Sequence, residues 1–260
     1  MEIKILSARE IRRYQKQIML PGIGIKGQEK LKQAKVLVIG AGGLGCPVLQ
    51  YLAASGIGKI GIIEFDMVDE TNLQRQVLYG SSDVGKLKSI IAKNRLEQIS
   101  FDGTIEIINL RIDSNNALKF VADFDIIVDA TDNLEARYVI NDACVILGKP
   151  MVHGAIYKYE GMVSVFNYNG GATYRCYNPP SLKSINNPSP SETGLFGVLP
   201  GITGTFMASE VIKIITGNGE VLSNKILIIN AYNNTFNTFN VINIPENHNI
   251  KEIINSNNKI

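Results

Sequence analysis

Cysteine is scarce in this chain of 260 residues. There are three, Cys46, Cys144 and Cys176, far apart and without a C-x-x-C pair. That excludes a disulfide framework and points to a reducing compartment. Long apolar runs are missing as well. None approaches the roughly 18 residues that a membrane span requires. Met1-Glu2-Ile3-Lys4 opens no signal-peptide apolar core. A soluble, cytoplasmic protein with no membrane attachment is the expectation. Charge of one sign is also lacking: 26 basic residues face 24 acidic ones, a net charge of +2. This balance gives no support to bulk nucleic-acid binding. The length suffices for one large domain with a substantial core.

What is present is concentrated between Val36 and Gln76. The apolar run Val36-Leu37-Val38-Ile39 leads into Gly40-Ala41-Gly42-Gly43-Leu44-Gly45. A helical pattern and a second strand follow, ending in Glu64-Phe65-Asp66, and then Asn72-Leu73-Gln74-Arg75-Gln76. Glycines let the backbone turn sharply and approach a phosphate or ribose. A helix that opens at such a turn aims free N–H groups at an anion. Glu64 stands where a dinucleotide-binding fold places its ribose carboxylate. The stretch therefore reads as a nucleotide site.

Elsewhere, residues 8–19 read as one amphipathic helix with Ile11, Tyr14 and Ile18 on a common face. Pro21 and nearby glycines break the chain after it. Strands are expected at 36–39, 60–65, 104–109, 125–129 and 150–153, and helices at 44–55, 84–99, 114–121 and 133–147. Pro47 fits because it lies in the first turn of its helix. Ile126-Ile127-Val128 implies burial on both faces. The alternation predicts an α/β, doubly wound, Rossmann-like and mostly parallel sheet. Beyond Gly154, 156–159 and 162–167 flank Glu160-Gly161 as a hairpin. A loop rich in Pro, Ser and Asn spans 177–194, of a length that is usually functional or mobile. A helix at 201–216 with Gly217 as C-cap and strands at 225–230 and 235–242 complete the fold. We expect a single-domain sheet extended by antiparallel strands. An N-terminal helical arm (1–30) precedes the main domain (31–245), and a polar tail (246–260) follows it.

The glycine turn alone suits a nicotinamide or flavin site as readily as an ATP site. Three downstream features discriminate: Arg75, Lys88 and Asp129-Ala130-Thr131-Asp132-Asn133. Cations and carboxylates gathered at a topological switch point suit a triphosphate with Mg²⁺ better than a hydride carrier. Each also has an ordinary structural reading. Lys86 and Lys88 suit a solvated helix face. Asp132 ahead of an apolar helix suits an N-cap, and Arg75 suits a surface ion pair.

These residues resemble the ThiF/MoeB/HesA family, bacterial relatives of ubiquitin-activating enzymes. The resemblance rests on Arg13-Tyr14-Gln15-Lys16-Gln17-Ile18, Gly40–Gly45 and Asn72–Gln76. It continues in Gly85-Lys86-Leu87-Lys88, Thr131-Asp132-Asn133, Gly148-Lys149-Pro150 and Val198-Leu199-Pro200-Gly201. It implies an ATP-dependent adenylyltransferase that activates the C-terminal glycine of a small ubiquitin-like carrier ending in Gly-Gly, commonly a sulfur carrier. Nucleotide contacts are then expected from Gly40, Gly42, Gly43, Leu44, Gly45, Glu64, Asp66, Asn72, Arg75, Gln76, Lys88, Asp132 and Asn133. Arg75, Lys88, Asp132 and Lys16 carry the chemistry, with Mg²⁺ on Asp132. Lys16 reaches the partner subunit's site, which implies a homodimer. Three other readings stay open: a relative that activates another peptide terminus in a biosynthetic cluster, an NAD(P)-dependent oxidoreductase, and a catalytically weak nucleotide-binding scaffold of the same fold.

The chain departs from the family pattern in four places. Glu64 stands where Asp is usual, and Lys16 where the subunit-crossing residue is arginine. The first zinc pair reads Thr173-Tyr174-Arg175-Cys176, and Ile244–His248 holds no cysteine. No thiol lies at 188–191, where some members carry a loop cysteine. One Cys and one distant His do not make a closed four-ligand site, so zinc is expected to be absent. Cys46 and Cys144, in apolar helical patterns, are expected in the core.

Overall fold

The computed structural model describes residues 6–180 and 194–253. In chain order the elements are α1 (Ala8–Arg13), α2 (Gln15–Ile18), α3 (Gly24–Gln33), β1 (Lys35–Ile39), α4 (Gly45–Ser55), β2 (Lys59–Ile63), α5 (Lys88–Ile99), β3 (Thr104–Ile108) and α6 (Ala117–Ala122). Then come β4 (Ile126–Asp129), α7 (Leu134–Leu147), β5 (Met151–Tyr157), β6 (Glu160–Phe166), α8 (Tyr174–Tyr177), α9 (Leu199–Thr216), β7 (Lys225–Asn230) and β8 (Thr235–Asn240).

Strand β1 decides the layering. Val36 and Val38 enter one core, while Leu37 and Ile39 enter another on the opposite face. A strand buried twice needs helices on both sides. α3, α4, α5 and α9 contribute to the first core, and α6, α7 and α8 to the second. The described residues form one eight-stranded sheet in the order β3-β2-β1-β4-β5-β6-β7-β8. From β3 to β5 the pairing is parallel, and from β5 to β8 it is antiparallel. The chain leaves β1 toward β2 on one side and returns with β4 on the other. That reversal opens a crevice at the carboxyl ends of the strands.

Four expectations about elements are corrected. The single helix over 8–19 is two short helices, because Tyr14 leaves helical backbone at φ −94° and ψ 11°. Its ring is buried against Gly56, where an added Cβ would lie 2.7 Å from it. The glycines after Pro21, expected to break the chain, do not prevent a helix over Gly24–Gln33, α3. Glycine disfavours a helix locally, but packing overrides propensity. Leu31 is fully buried, and Gln28 Nε2 donates to the Ser55 carbonyl at 2.9 Å. α5 starts at Lys88 rather than 84, because Gly85 holds a left-handed backbone, φ 81°, that no helix accepts. Residues 151–157 are one strand, and the hairpin turns at Lys158-Tyr159, with Lys158 at φ 49°. Glu160-Gly161 instead opens β6, and Gly161 lets α9 approach: an added Cβ would lie 2.1 Å from Thr203 Oγ1.

Of the 177–194 loop, residues 181–193 lie outside the described residues, as do residues 254–260 of the tail. Cys46 and Cys144 are buried, as expected for core residues. Gly217 caps α9 at φ 71°. No helix among the described residues is long and apolar enough to cross a membrane.

Candidate nucleotide site

The crevice is a cleft of about 1090 Å³ at the reversal point. Its floor is the glycine turn after β1. Gly40 takes φ 95°, and a Cβ there would lie 2.7 Å from the Ala130 carbonyl oxygen. A Cβ on Gly45 would lie 2.0 Å from the Gly40 carbonyl oxygen. Gly45 is buried as the first residue of α4 and is not among the lining residues. These two glycines close the turn. Gly42 faces open space, its nearest neighbour a Gln76 amide nitrogen 3.6 Å from where a Cβ would be. Gly43 packs on the Pro200 ring at the start of α9. Gly42, Gly43 and Leu44 line the cleft.

The turn is held from below. Tyr79 Oη donates to the Ala41 carbonyl at 2.7 Å. Burial pushes the Tyr79 hydroxyl well above its ordinary range, so it stays protonated and donates. Glu64 Oε2 accepts from Ala41 N–H, and Oε1 accepts from the N–H groups of Phe65 and Asp66, each at 2.9 Å. Glu64 therefore sits in the cleft wall, and its longer side chain also pins the glycine turn to the end of β2.

One lip carries cations. Met67 pairs with Leu87 in an antiparallel bridge, and Val68 exchanges backbone bonds with Gly85 and Lys86. This clip sets Lys88 beside Asp66, with Nζ 3.3 Å from Oδ2. Lys88 is only 4% exposed, while Lys86 points outward. A solvated helix face thus describes Lys86 and not Lys88. Arg75 lines the cleft, and its Nη1 donates to the Thr71 carbonyl at 3.0 Å rather than to a carboxylate. Gln76 is buried and lines the cleft, and its Oε1 has no partner among the described residues.

The opposite lip is the segment after β4. Asn133 is the N-cap of α7, its side chain accepting from Ala136 N–H at 2.9 Å. Asp132 is therefore not the cap. It is exposed on the cleft and makes no hydrogen bond or ion pair among the described residues.

A family model described as the ThiF family matches residues 14–250. The chain belongs to the ThiF family. It is 48% identical over 238 residues to a "Probable molybdopterin-synthase adenylyltransferase" of Porphyra purpurea, covering 91% of this chain and 62% of that one. It is 44% identical to a "Sulfur carrier protein adenylyltransferase" of Thermus thermophilus, covering 89% and 88%. It is 45% identical to "Adenylyltransferase and sulfurtransferase MOCS3" of Aedes aegypti, of which it spans 54%. Among solved structures, E. coli MccB with ATP superposes with a TM-score of 0.80 at 26% identity, covering 93% of this chain and 74% of that one.

Besides Gly45, two expected positions, Asn72 and Lys16, lie apart from this chain's cleft lining. Asn72 is half-buried in a 3-10 turn, its Nδ2 3.3 Å from Thr71 Oγ1. Lys16 is exposed on α2. At the zinc-knuckle positions, Cys176 Sγ meets Thr173 N and Oγ1 and Ile244 N at 3.4 Å, and Asn247 Nδ2 at 3.5 Å. Burial alone would raise this thiol, but these hydrogen bonds outweigh it and lower it. Among the described residues no group of three or more His, Cys, Asp and Glu could hold a metal ion. Mg²⁺ asks for less, since one carboxylate plus substrate phosphates commonly holds it. Asp132 fits that requirement, and the buried Gln76, its Nε2 next to the open face at Gly42 and its Oε1 unpartnered among the described residues, suits a nucleotide.

Sequence reasoning passed over His153, Arg137 and Arg111, which also line the cleft. His153 had a signal: it is the polar residue in the apolar stretch Met151-Val152-His153-Gly154-Ala155-Ile156, where the expected 150–153 strand ends. Arg137 lies one turn into the helix after Asp132.

Proposed function

We propose that the chain is an ATP-dependent adenylyltransferase acting on the C-terminal glycine of a small ubiquitin-like carrier, in a reducing, cytoplasmic setting. The observation that carries this reading is the pair of lips. The buried Lys88 and the cleft-lining Arg75 stand on one side, and the unengaged Asp132 on the other. The relatives' names point to the same activity. The carrier carboxylate attacks the α-phosphate, a P–O bond forms, and the bond to pyrophosphate breaks. An acyl adenylate and pyrophosphate result.

No protein nucleophile is needed, so the work is positioning and charge neutralisation. Lys88 and Arg75 hold phosphate oxygens, and Asn72, outside the cleft lining, would have to turn inward to join them. Gln76 and Gly42 fit the nucleotide against the turn, and the remaining lone pair of Glu64 faces the ribose. Asp132 holds Mg²⁺, which supplies charge neutralisation on the phosphates. Lys16 completes the site of a second copy in a homodimer.

The test is ATP–pyrophosphate exchange with candidate carriers ending in Gly-Gly. Exchange should depend on the carrier. Absence of exchange with every encoded carrier, together with tight NADH binding, would overturn this reading in favour of an oxidoreductase. Nucleotide binding without turnover would favour a scaffold.

A further inference from the structure

β4 and β5 pair in a register that sets Asp129 directly beside His153. Both side chains are buried, each residue 0% exposed. His153 Nδ1 lies 2.7 Å from Asp129 Oδ2. The second oxygen of Asp129 faces the cleft segment. Oδ1 accepts from Thr131 N–H at 3.0 Å and from Thr131 Oγ1–H at 2.6 Å. From the other side, Arg137 Nη2 donates to the Thr131 carbonyl at 3.0 Å. Ala130 N–H is taken by the Ile39 carbonyl at 2.9 Å, and Asn133 caps α7. The backbone on either side of Asp132 is thus held by named bonds, while the Asp132 carboxylate stays free for the cleft.

The far nitrogen of His153 has no partner among the described residues. It lies among aromatic rings, with Tyr174 at 5.0 Å and Phe166 at 5.9 Å between centroids. The ring's hydrogen bonding is therefore to Asp129, and the bond network assigns the proton to Nδ1. An acceptor-only carboxylate at full burial needs such a donor to stay ionised and in one rotamer.

We infer that His153 is a positioning residue for the adenylation site: through Asp129 and Thr131 it orients the segment that presents Asp132 to Mg²⁺. The arrangement has the logic of an outer-shell partner, with Asp129 and Thr131 between His153 and the Asp132 that would hold the ion. It rests on the reading of Asp132 as the Mg²⁺ carboxylate, and it does not need the carrier.

The experiment compares His153→Asn, His153→Gln, His153→Ala and wild type. ATP binding is measured by calorimetry with Mg²⁺ and again with the metal chelated, with no carrier present. An asparagine Nδ2 takes the place of Nδ1 and restores the donor to Asp129. A glutamine amide reaches toward the other ring nitrogen and does not. The Ala and Gln variants should lose about tenfold or more in Mg²⁺-dependent ATP affinity. Asn should stay within about twofold of wild type, and metal-free ATP binding should be alike in all four. Where Ala fails to fold, Thr131→Val, which removes only the 2.6 Å hydroxyl bond, should show the same metal-selective loss.

Equal losses with and without Mg²⁺, full affinity in every variant, or retention by Gln with loss by Asn would each overturn the inference. A wild-type protein that binds Mg²⁺ and ATP in this pattern but never exchanges pyrophosphate would sink the carrier reading alone.

Discussion

Asp132 and Asn133 are neighbours with separable duties. Asn133 spends its side-chain oxygen on the α7 N-terminus, and Asp132 bears no structural bond among the described residues. Asp132→Ala should abolish pyrophosphate exchange with almost no change in melting temperature. Asn133→Ala should cost about 1 kcal/mol of stability by loss of the cap. Exchange rates and thermal melts on both variants check this, and a large stability loss in Asp132→Ala would contradict it. The Asp129–His153 pair has a pH signature of its own. Burial, reinforced by Arg137, lowers the His153 imidazole below its ordinary 6.5, although Asp129 opposes this. Burial would raise the Asp129 carboxyl, but His153, Arg137 and Thr131 together hold it below its ordinary 3.8. The charged and titratable groups facing the imidazole are Asp129 from β4, Arg137 from α7 and Tyr174 from α8. Below pH 6.5 the unfolded chain takes a proton that the folded imidazole refuses. Stability is therefore full above that pH and falls as the pH drops below it, by up to about 1.4 kcal/mol per pH unit for one proton. Asp129 adds a further loss once the pH falls through the carboxyl range. Denaturant melts between pH 7.5 and 5.5 should show the slope in wild type, and His153→Asn should flatten it.

Among elements, the glycine turn shows that residues of one type do different work. Gly40 is required by its positive φ and the Ala130 carbonyl and Gly45 by the Gly40 carbonyl, whereas Gly42 borders open space. Gly45→Ala should therefore fail to fold stably, because its Cβ meets backbone. Gly42→Ala should fold with a near-normal melting temperature and bind ATP more weakly. Circular dichroism melts with nucleotide titrations separate the two, and normal ATP affinity in folded Gly42→Ala would place the nucleotide elsewhere. The short α8 is a second instructive element. It is fastened by the bidentate pair Arg175–Asp142, at 2.7 and 2.6 Å, and by hydrogen bonds that converge on Cys176. These bonds tie α8 to Ile244 and Asn247, and Cys176 is the one cysteine among these residues. The protein should accordingly hold less than stoichiometric zinc by elemental analysis. A variant with Cys46, Cys144 and Cys176 replaced by Ala or Ser should keep exchange wherever it folds. A zinc ratio near one, or a thioester on Cys176, would contradict this. Neither buried thiol suits nucleophilic duty, since burial pushes Cys46 up to about 12 and raises Cys144 as well.

At the scale of the whole molecule, the expected Lys16 contact lies outside a single chain's cleft. Lys16 is exposed on α2 and is not among the lining residues. A homodimer in which Lys16 crosses to the partner's cleft makes a sharp prediction. Inactive Lys16→Ala mixed with inactive Asp132→Ala should recover part of the exchange activity, because a mixed dimer holds one intact site. No recovery, with subunit exchange demonstrated by mass, would mean that each site is completed within one chain.

The sheet, its switch point and the charged residues that line both lips were legible in the sequence. Strand runs, turn glycines and the order of Arg75, Lys88 and Asp132 are local signals, written in periodicity and turn chemistry. What the tertiary structure alone decided was which neighbour does which job. Lys88 turns inward and Lys86 outward because Gly85 delays α5 and the Met67–Leu87 bridge sets its start. Asn133 rather than Asp132 caps α7 because the backbone turns helical one residue later. His153 meets Asp129 through the register between two strands whose partners are more than twenty residues apart, as in the Asp129–His153 separation of 24. The α3 helix exists because Leu31 and Gln28 are buried, against the preference of its glycines. Local composition sets what a segment can form. Contacts between distant segments choose among those forms, because burial and register are properties of the packed molecule and not of any window of its sequence.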